Sequence, residues 1–286
     1  MVPPIIGWNN RVLAVKFKCS IVKGIMPDQS HQSDPRILAR RTLERDHRCL
    51  VQFLKPGLSV LDVGCGTGAI TAGIAKAVGP HGYVIGVDRD EALLERGRTQ
   101  YASLSNLRFE IGDAITLTFR AQFDVVTAAR TLQWIAEPAV AISKMRAAAK
   151  PSGMIVVLDY NHTNNEWQPD PPREFRIFYD AFLAWRHSNG WRNQIADELP
   201  DLFRSAGLVD VKTYVQDEVI ERGDPEFADQ TALWSEVIET LGGRLAMAGF
   251  CTELELIQAR ERYTEWVRTE LGKQRLELRA VTGIAP

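Results

Sequence analysis

The stretch VLDVGCGTG, residues 60–68, decides how the chain is read. Its first half is short, apolar and branched, the composition of a strand covered on both faces. Its second half sets Gly64, Gly66 and Gly68 on alternate positions, just before a helical pattern of Ile70, Ile74, Ala77 and Val78. A strand that turns at once into a helix needs backbone angles that glycine adopts without steric cost. Such a turn brings bare main-chain amides and a helix N-terminus up to its surroundings, so the segment reads as a ligand-binding corner.

Working outward, short apolar strands alternate with helices. Leu43, Leu50, Val51 and Leu54 predict a helix from about Pro35 to Leu54, closed by Pro56-Gly57. Strands are predicted at LSVLDVG (58–64), YVIGVD (83–88), LRFEIG (107–112), FDVVTA (123–128) and MIVVLDY (154–160), with helices near 91–101 and 138–149 between them. That alternation implies an α/β protein with a mostly parallel sheet. Beyond Tyr160 the pattern changes to helices over 171–190, 193–205, 225–248 and 252–272, with strands over 208–220 and 276–285.

Composition narrows the function classes. The chain has 286 residues, 45% of them hydrophobic and 24% charged, with a net charge of -2. No overall basic character gathers around a phosphate backbone, which disfavours nucleic acid as the main partner. Arg36, Arg40, Arg41, Arg45 and Arg48 cluster at helical spacing and read as a solvated helix face in preference to a binding patch. Cys19, Cys49, Cys65 and Cys251 are scattered without metal-ligand spacing, so no metal is expected and a reduced, cytoplasmic chain fits. No apolar run reaches membrane-spanning length. Residues 1–25 read as a poorly specified extension, and the folded domain is expected over 26–286.

The ligand of the corner follows from the spacing. The dinucleotide fingerprint is G-x-G-x-x-G, and here the third glycine comes one residue early, while Asp62 stands two residues before the first. Asp88 ends the second strand twenty residues past Gly68, where an acceptor of ribose hydroxyl hydrogen bonds belongs. Asp113 follows the third strand. Alone, each acid also reads as a helix cap.

Together, D-x-G-x-G-x-G at 62–68, Asp88 and Asp113 resemble the motifs of class I S-adenosylmethionine-dependent methyltransferases. Leu132-Gln133-Trp134 is similar to the triplet of the small-molecule branch, which includes trans-aconitate, malonyl-carrier-protein and ubiquinone-menaquinone-type methyltransferases. KPSG at 150–153 replaces the family's usual K-P-G-G. The resemblance covers about residues 37–160. It implies a Rossmann-like three-layer αβα sandwich, with a seven-stranded sheet whose last strand runs antiparallel between the fifth and sixth. A cofactor core over 36–160 and helical insertions over 161–206 and 222–274, forming the acceptor pocket, complete the expected layout. The implied cofactor is S-adenosyl-L-methionine, leaving as S-adenosyl-L-homocysteine. Its implied contacts are Asp62, Gly64, Cys65, Gly66, Gly68, Asp88, Arg89, Gly112, Asp113, Ala114 and Ala129.

A sulfonium donor is already activated, so the acceptor site has to align the acceptor atom, exclude water and take up a proton where one is released. Residues expected there are Arg130, Trp134, Asn161, Trp167, Tyr179 and Trp234, with His162 and Tyr160 as the catalytic pair. Each has a structural reading as well. The stripe Phe175, Phe178, Tyr179 and Phe182 equally describes a core face, and Arg130 either pairs with a substrate carboxylate or caps local carbonyls. His31 and His47 read as lid or packing residues. Asp170-Pro171-Pro172 resembles the D-P-P of base-amine methylating enzymes. It follows the fifth strand instead of the fourth, however, and reads as a turn into a helix. The expected partner is a small-molecule acceptor, with neither nucleic acid nor membrane, for a monomer or homodimer. The alternatives are a catalytically silent cofactor binder and a protein or tRNA methyltransferase.

Overall fold

The computed structural model describes residues 34–286. The expected extension over 1–25, the domain start at 26 and His31 lie outside the described residues. Eight strands form one mixed sheet: β1 (Ser59–Val63), β2 (Tyr83–Asp88), β3 (Leu107–Ile111), β4 (Phe123–Ala129), β5 (Ala149–Gln168), β6 (Val209–Val215), β7 (Glu218–Glu221) and β8 (Lys273–Ile284). The order is β3-β2-β1-β4-β5-β8-β6, with β7 also paired to β8. Strands β1 to β5 pair in parallel, while β8 runs antiparallel to β5, β6 and β7.

The helices are α1 (Pro35–Ala39), α2 (Leu43–Asp46), α3 (Arg48–Val51), α4 (Ala69–Val78), α5 (Glu91–Gln100), α6 (Pro138–Ala148), α7 (Arg173–Ser188), α8 (Ile195–Ser205), α9 (Phe227–Thr231), α10 (Leu233–Met247) and α11 (Glu253–Thr269). Strand alternation divides the core between the two faces of the sheet. Val60, Val84, Val125 and Val156 pack under α4 and the short helices before it, against Leu43, Leu50, Ile70 and Ile74. Leu61, Val126 and Val157 face the other way, onto Ile142 and Met145 of α6 and Leu199 and Phe203 of α8. A third cluster, largely aromatic, joins α7, α10 and α11 to the far halves of β5 and β8.

Three expectations are corrected. The single helix over Pro35–Leu54 is three short ones. Thr42 caps α2 by accepting from Arg45 N at 3.2 Å, Asp46 takes the Thr42 amide at 2.7 Å, and His47 breaks the run at φ -144°. The strand over 208–220 is two, β6 and β7, which makes eight strands instead of seven. Most consequentially, β5 does not stop at Tyr160 but runs to Gln168. Asn-His-Thr-Asn-Asn-Glu carries no strand periodicity, and its partner lies more than a hundred residues away. Asn161 pairs with Glu277 and, past an irregularity, Glu166 pairs with Arg275. Asp170-Pro171-Pro172 does lead into α7, and Asp170 makes an exposed ion pair with Arg176.

The chain leaves β1 for β2 and β3 on one side, then crosses back to β4 on the other. The carboxyl ends of β1 and β4 therefore flank the switch-point crevice where open α/β sheets bind ligands.

Candidate active site

At the end of β1 all three loop glycines are left-handed, with φ of +76° at Gly64, +56° at Gly66 and +78° at Gly68. A side chain at Gly64 would stand 2.3 Å from Thr131 Oγ1, so the loop and the residue after β4 meet with no room to spare. The Gly64 and Cys65 amides donate to Val87 O at 2.7 and 3.1 Å, and the Gly66 amide donates to Asp88 Oδ2 at 2.8 Å. The loop is thus tied to the end of β2, and Asp88 is held by Gly66 and by the Asp90 amide at 3.0 Å. Burial raises the Asp88 carboxyl above its ordinary pKa. Asp62, inside β1, accepts from Thr71 Oγ1 at 2.7 Å, and burial pushes its carboxyl up to about 6.

The other residues the resemblance implies lie around this loop. Cys65 packs inward, its sulfur 2.9 Å from where a Cβ on Gly86 would stand, so its side chain belongs to the sheet. Asp113 accepts from the Ile115 amide at 3.0 Å, and the Gly112 amide bonds Asp88 O at 2.9 Å, linking the ends of β2 and β3. Arg89 is exposed, Ala114 buried and Ala129 half-buried beside Thr131. Within the loop, the buried Thr67 hydroxyl has no hydrogen-bond partner among the described residues. A glycine cradle with an orphaned hydroxyl and two strand-end acids suits a ligand with an amino-acid end and a ribose, so the residues present fit S-adenosylmethionine.

One residue beyond Ala129, Arg130 sits at φ +57°, a conformation uncommon for a side-chain-bearing residue. It is the hub of the neighbouring site. Its Nε donates to the Tyr160 hydroxyl at 3.0 Å and its Nη1 to Asp46 O at 2.8 Å, while Nη2 is ion-paired with Glu218. Burial opposes its charge, but Glu218, Tyr160 and Asp46 outweigh that and hold the guanidinium firmly protonated. Tyr160 donates in turn to Glu218 Oε2 at 3.1 Å, and burial keeps the phenol protonated. Next to this cluster opens a cavity of about 600 Å³, lined by Tyr160 and Glu218 together with Arg41, Arg45, Asp46 and other residues of α1–α3, β7 and α9. A run of contacts therefore leads from Gly64 through Thr131 and Arg130 to Tyr160 and the cavity.

The remaining expected acceptor residues do not line this cavity. His162 shares a strand face with Tyr160 and stacks on it at 5.0 Å, but it is buried, edge-on to Phe182, with Nε2 at 2.7 Å from Gln133 Oε1. Burial, and then Arg186, holds it neutral, well below the ordinary histidine range. Asn161 points to the opposite face and donates to Asp197 at 2.6 Å. Trp167, Tyr179 and Trp234 form one packed cluster with Phe175 and Phe182. Tyr179 donates to His162 O at 2.6 Å, and the Trp167 indole donates to Gln274 at 2.9 Å. Trp134 packs edge-on to Trp191, under the Arg186 guanidinium at 4.3 Å. These aromatic rings are core, because β5 continues through them as a strand and α7 and α10 close over it.

Three participants were not foreseen. Glu218 is read as part of a plain strand in the sequence, Arg41 as part of a solvated helix face, and Asp46 is given no role there. His47, read as lid or packing, packs: it lies fully buried, Nε2 at 2.8 Å from Thr127 Oγ1 in β4, and burial drives its pKa down to about 3. Only the spacing of five arginines in thirteen residues hinted that this segment had a charged task. Among the described residues no cluster of three or more His, Cys, Asp or Glu side chains is placed to hold a metal ion.

Comparison with known proteins agrees with this geometry. A family model described as a methyltransferase domain matches residues 54–207. A demethylmenaquinone methyltransferase of Staphylococcus aureus is 32% identical over 174 residues, 56% of this chain and 71% of that protein. Among solved structures, phosphoethanolamine N-methyltransferase 2 of Haemonchus contortus superposes with a TM-score of 0.53 at 17% identity, over 85% of this chain. This chain spans 52% of that larger protein. The [4+2]-cyclase SpnF superposes with a TM-score of 0.52 at 17% identity, over 89% of this chain and 86% of its own. At such identities the solved structures speak for the fold alone. The glycine corner, the switch-point crevice and the matched domain together make this chain a member of the S-adenosylmethionine-dependent methyltransferases.

Proposed function

We propose that the chain methylates a small-molecule acceptor seated in the cavity beside Tyr160 and Glu218. The observation that carries this reading is the position of the cavity, one run of contacts from Gly64. The name of the S. aureus relative, a demethylmenaquinone methyltransferase, supports an acceptor of small-molecule type. Bound S-adenosylmethionine supplies a methyl group on a sulfonium, and S-adenosylhomocysteine is the product. The residues proposed to hold it are Asp62, Gly64, Gly66, Gly68 and Asp88, with Cys65 through its backbone. Arg89, Gly112, Asp113, Ala114 and Ala129 complete the rim.

The chain's own work is alignment, exclusion of water and proton uptake. Arg130 fixes the Tyr160 ring and the Glu218 carboxylate relative to β4, so both present their oxygens to the cavity at set positions. An acceptor O–H or N–H that loses its proton passes it to Glu218, directly or through the Tyr160 hydroxyl that already donates to it. We assign this role to Tyr160 and Glu218 in preference to His162, whose ring is enclosed by Gln133, Phe182 and Tyr160.

Incubating the protein with methyl-labelled cofactor and a small-molecule cell extract, then locating the new methyl, tests the reading. A labelled product of low molecular mass is expected. With that acceptor in hand, Tyr160→Phe should lower turnover by about 10²–10⁴-fold, the usual scale of a lost proton-transfer partner. S-adenosylhomocysteine affinity should stay unchanged. Undiminished turnover in Tyr160→Phe would remove the tyrosine from the mechanism.

A further inference from the structure

One cavity-lining group is unused by the mechanism above. Arg41 sits in the three-residue connector between α1 and α2, its backbone fixed by the Arg41 amide donating to Leu38 O at 3.2 Å. Its side chain lines the 600 Å³ cavity and is half-buried. Among the described residues, no hydrogen bond or ion pair reaches its guanidinium. Burial, followed by the like charge of Arg130, lowers its pKa, and the longer-range pull of Tyr160, Asp46 and Glu218 does not restore it. The other arginines of the segment are engaged: Arg36 with Asp34, Arg40 with Glu236, Arg45 with Asp46 and Glu226. Arg48 is exposed and, among the described residues, reaches Asp217 O at 3.4 Å.

Apart from the exposed Asp229, the acids of the wall are engaged in turn. Glu218 is held by Arg130 and Tyr160, Asp46 by Arg45 and the Thr42 amide, and Asp217 by Arg275 and Arg279. Glu226 takes Arg45 and Gln230, and Asp229 is exposed. A half-buried guanidinium with five donors, facing a cavity whose carboxylates are paired apart from the exposed Asp229, offers those donors to an oxyanion.

We infer that Arg41 is the receptor for an oxyanion on the acceptor, so that the substrates of this site are small acids, carboxylates or phosphoesters, with Arg41 gripping the acidic group and Tyr160 and Glu218 facing the methylated atom. This rests on the methyl-transfer reading for the word substrate, but not for the anion site itself. Arg130, the arginine that the sequence nominates for a substrate carboxylate, is saturated by protein partners and takes no part.

The test reads the anion directly. The full chain, labelled at arginine Nε, is titrated with sodium acetate and separately with inorganic phosphate, and followed by NMR. The Arg41 signal is the one missing from both Arg41→Gln and Arg41→Lys. It should shift saturably at about 1–10 mM of at least one anion. The exposed, ion-paired Arg268 should drift only with ionic strength. Tighter binding of phosphate identifies a phosphoester acceptor, and tighter binding of acetate a carboxylate. An Arg41 signal that stays still, or follows Arg268, up to about 100 mM of both anions overturns the inference. So does a labelled methylation product that carries neither a carboxylate nor a phosphate. Lack of any methyl transfer, with Arg41 still binding anion, would instead overturn the methyl-transfer reading and leave the anion site standing.

Discussion

The two sides of the β4 terminus are built on opposite principles. Towards β1 lies the glycine loop, where backbone meets backbone and the tolerances are set by absent side chains: a single Cβ on Gly64 would collide with Thr131. Towards β5 lies a charged chamber, where long side chains from α2, β4, β5 and β7 converge and each ion is held by the others. The first needs a few residues in a row to have the right conformation. The second needs four distant segments to arrive together.

The sharpest way to separate the two sides is to leave the buried Arg130 charge without its counterion. Glu218→Gln should cost about 3 kcal/mol in urea unfolding, the lower end for a broken buried pair because Glu218 is partly exposed. S-adenosylhomocysteine affinity should remain within about twofold. The reverse lesion is Gly64→Ala, which combines an unfavourable φ with the Thr131 collision. We expect S-adenosylhomocysteine affinity to drop about 100-fold, near 2.7 kcal/mol, in calorimetry, with a smaller loss of stability. If both variants damage both properties alike, the two sides are one unit and the contrast fails.

Next in size is the effect at the joint between them. Folded His47 resists protonation down to about pH 3, whereas the unfolded chain takes the proton near 6.5. The unfolded state therefore binds more protons throughout that window, and stability falls as pH falls from 6.5 towards 3. Between pH 7 and pH 5 the wild type should lose about 2 kcal/mol more than His47→Gln does. Equal losses, measured by urea titration at the two pH values, would show that His47 is not the acid-sensitive joint. Smallest of the cofactor-side effects is Asp88→Ala, expected to weaken S-adenosylmethionine binding by about 1–3 kcal/mol, the scale of one lost polar contact.

The same contrast explains what a reader of the sequence can see. The glycine corner, Asp62, Asp88 and the alternation of strands and helices are local, and their physical causes lie within a few residues of each other. The Arg130 hub is not local: Glu218 lies 88 residues from Arg130, and nothing about Glu-Val-Ile-Glu marks it as a counterion. The aromatic residues misled for the same reason. Trp167 and Tyr179 carry the composition of a binding pocket, but the continuation of β5 that makes them core depends on β8, a hundred residues on. The five clustered arginines read as one solvated face because helical spacing was assumed. The break at His47 and the cap at Thr42 turn their side chains to different partners.

Strand β8 is the keystone between the two sides of the molecule. Residues 59–168 contain every strand beside the glycine corner. Among the described residues, β6 and β7 pair with no strand but Lys273–Ile284, and β7 carries Glu218. The charged chamber around Arg130 therefore hangs on β8, and a lesion in that strand should reach Glu218 before it reaches the glycine corner.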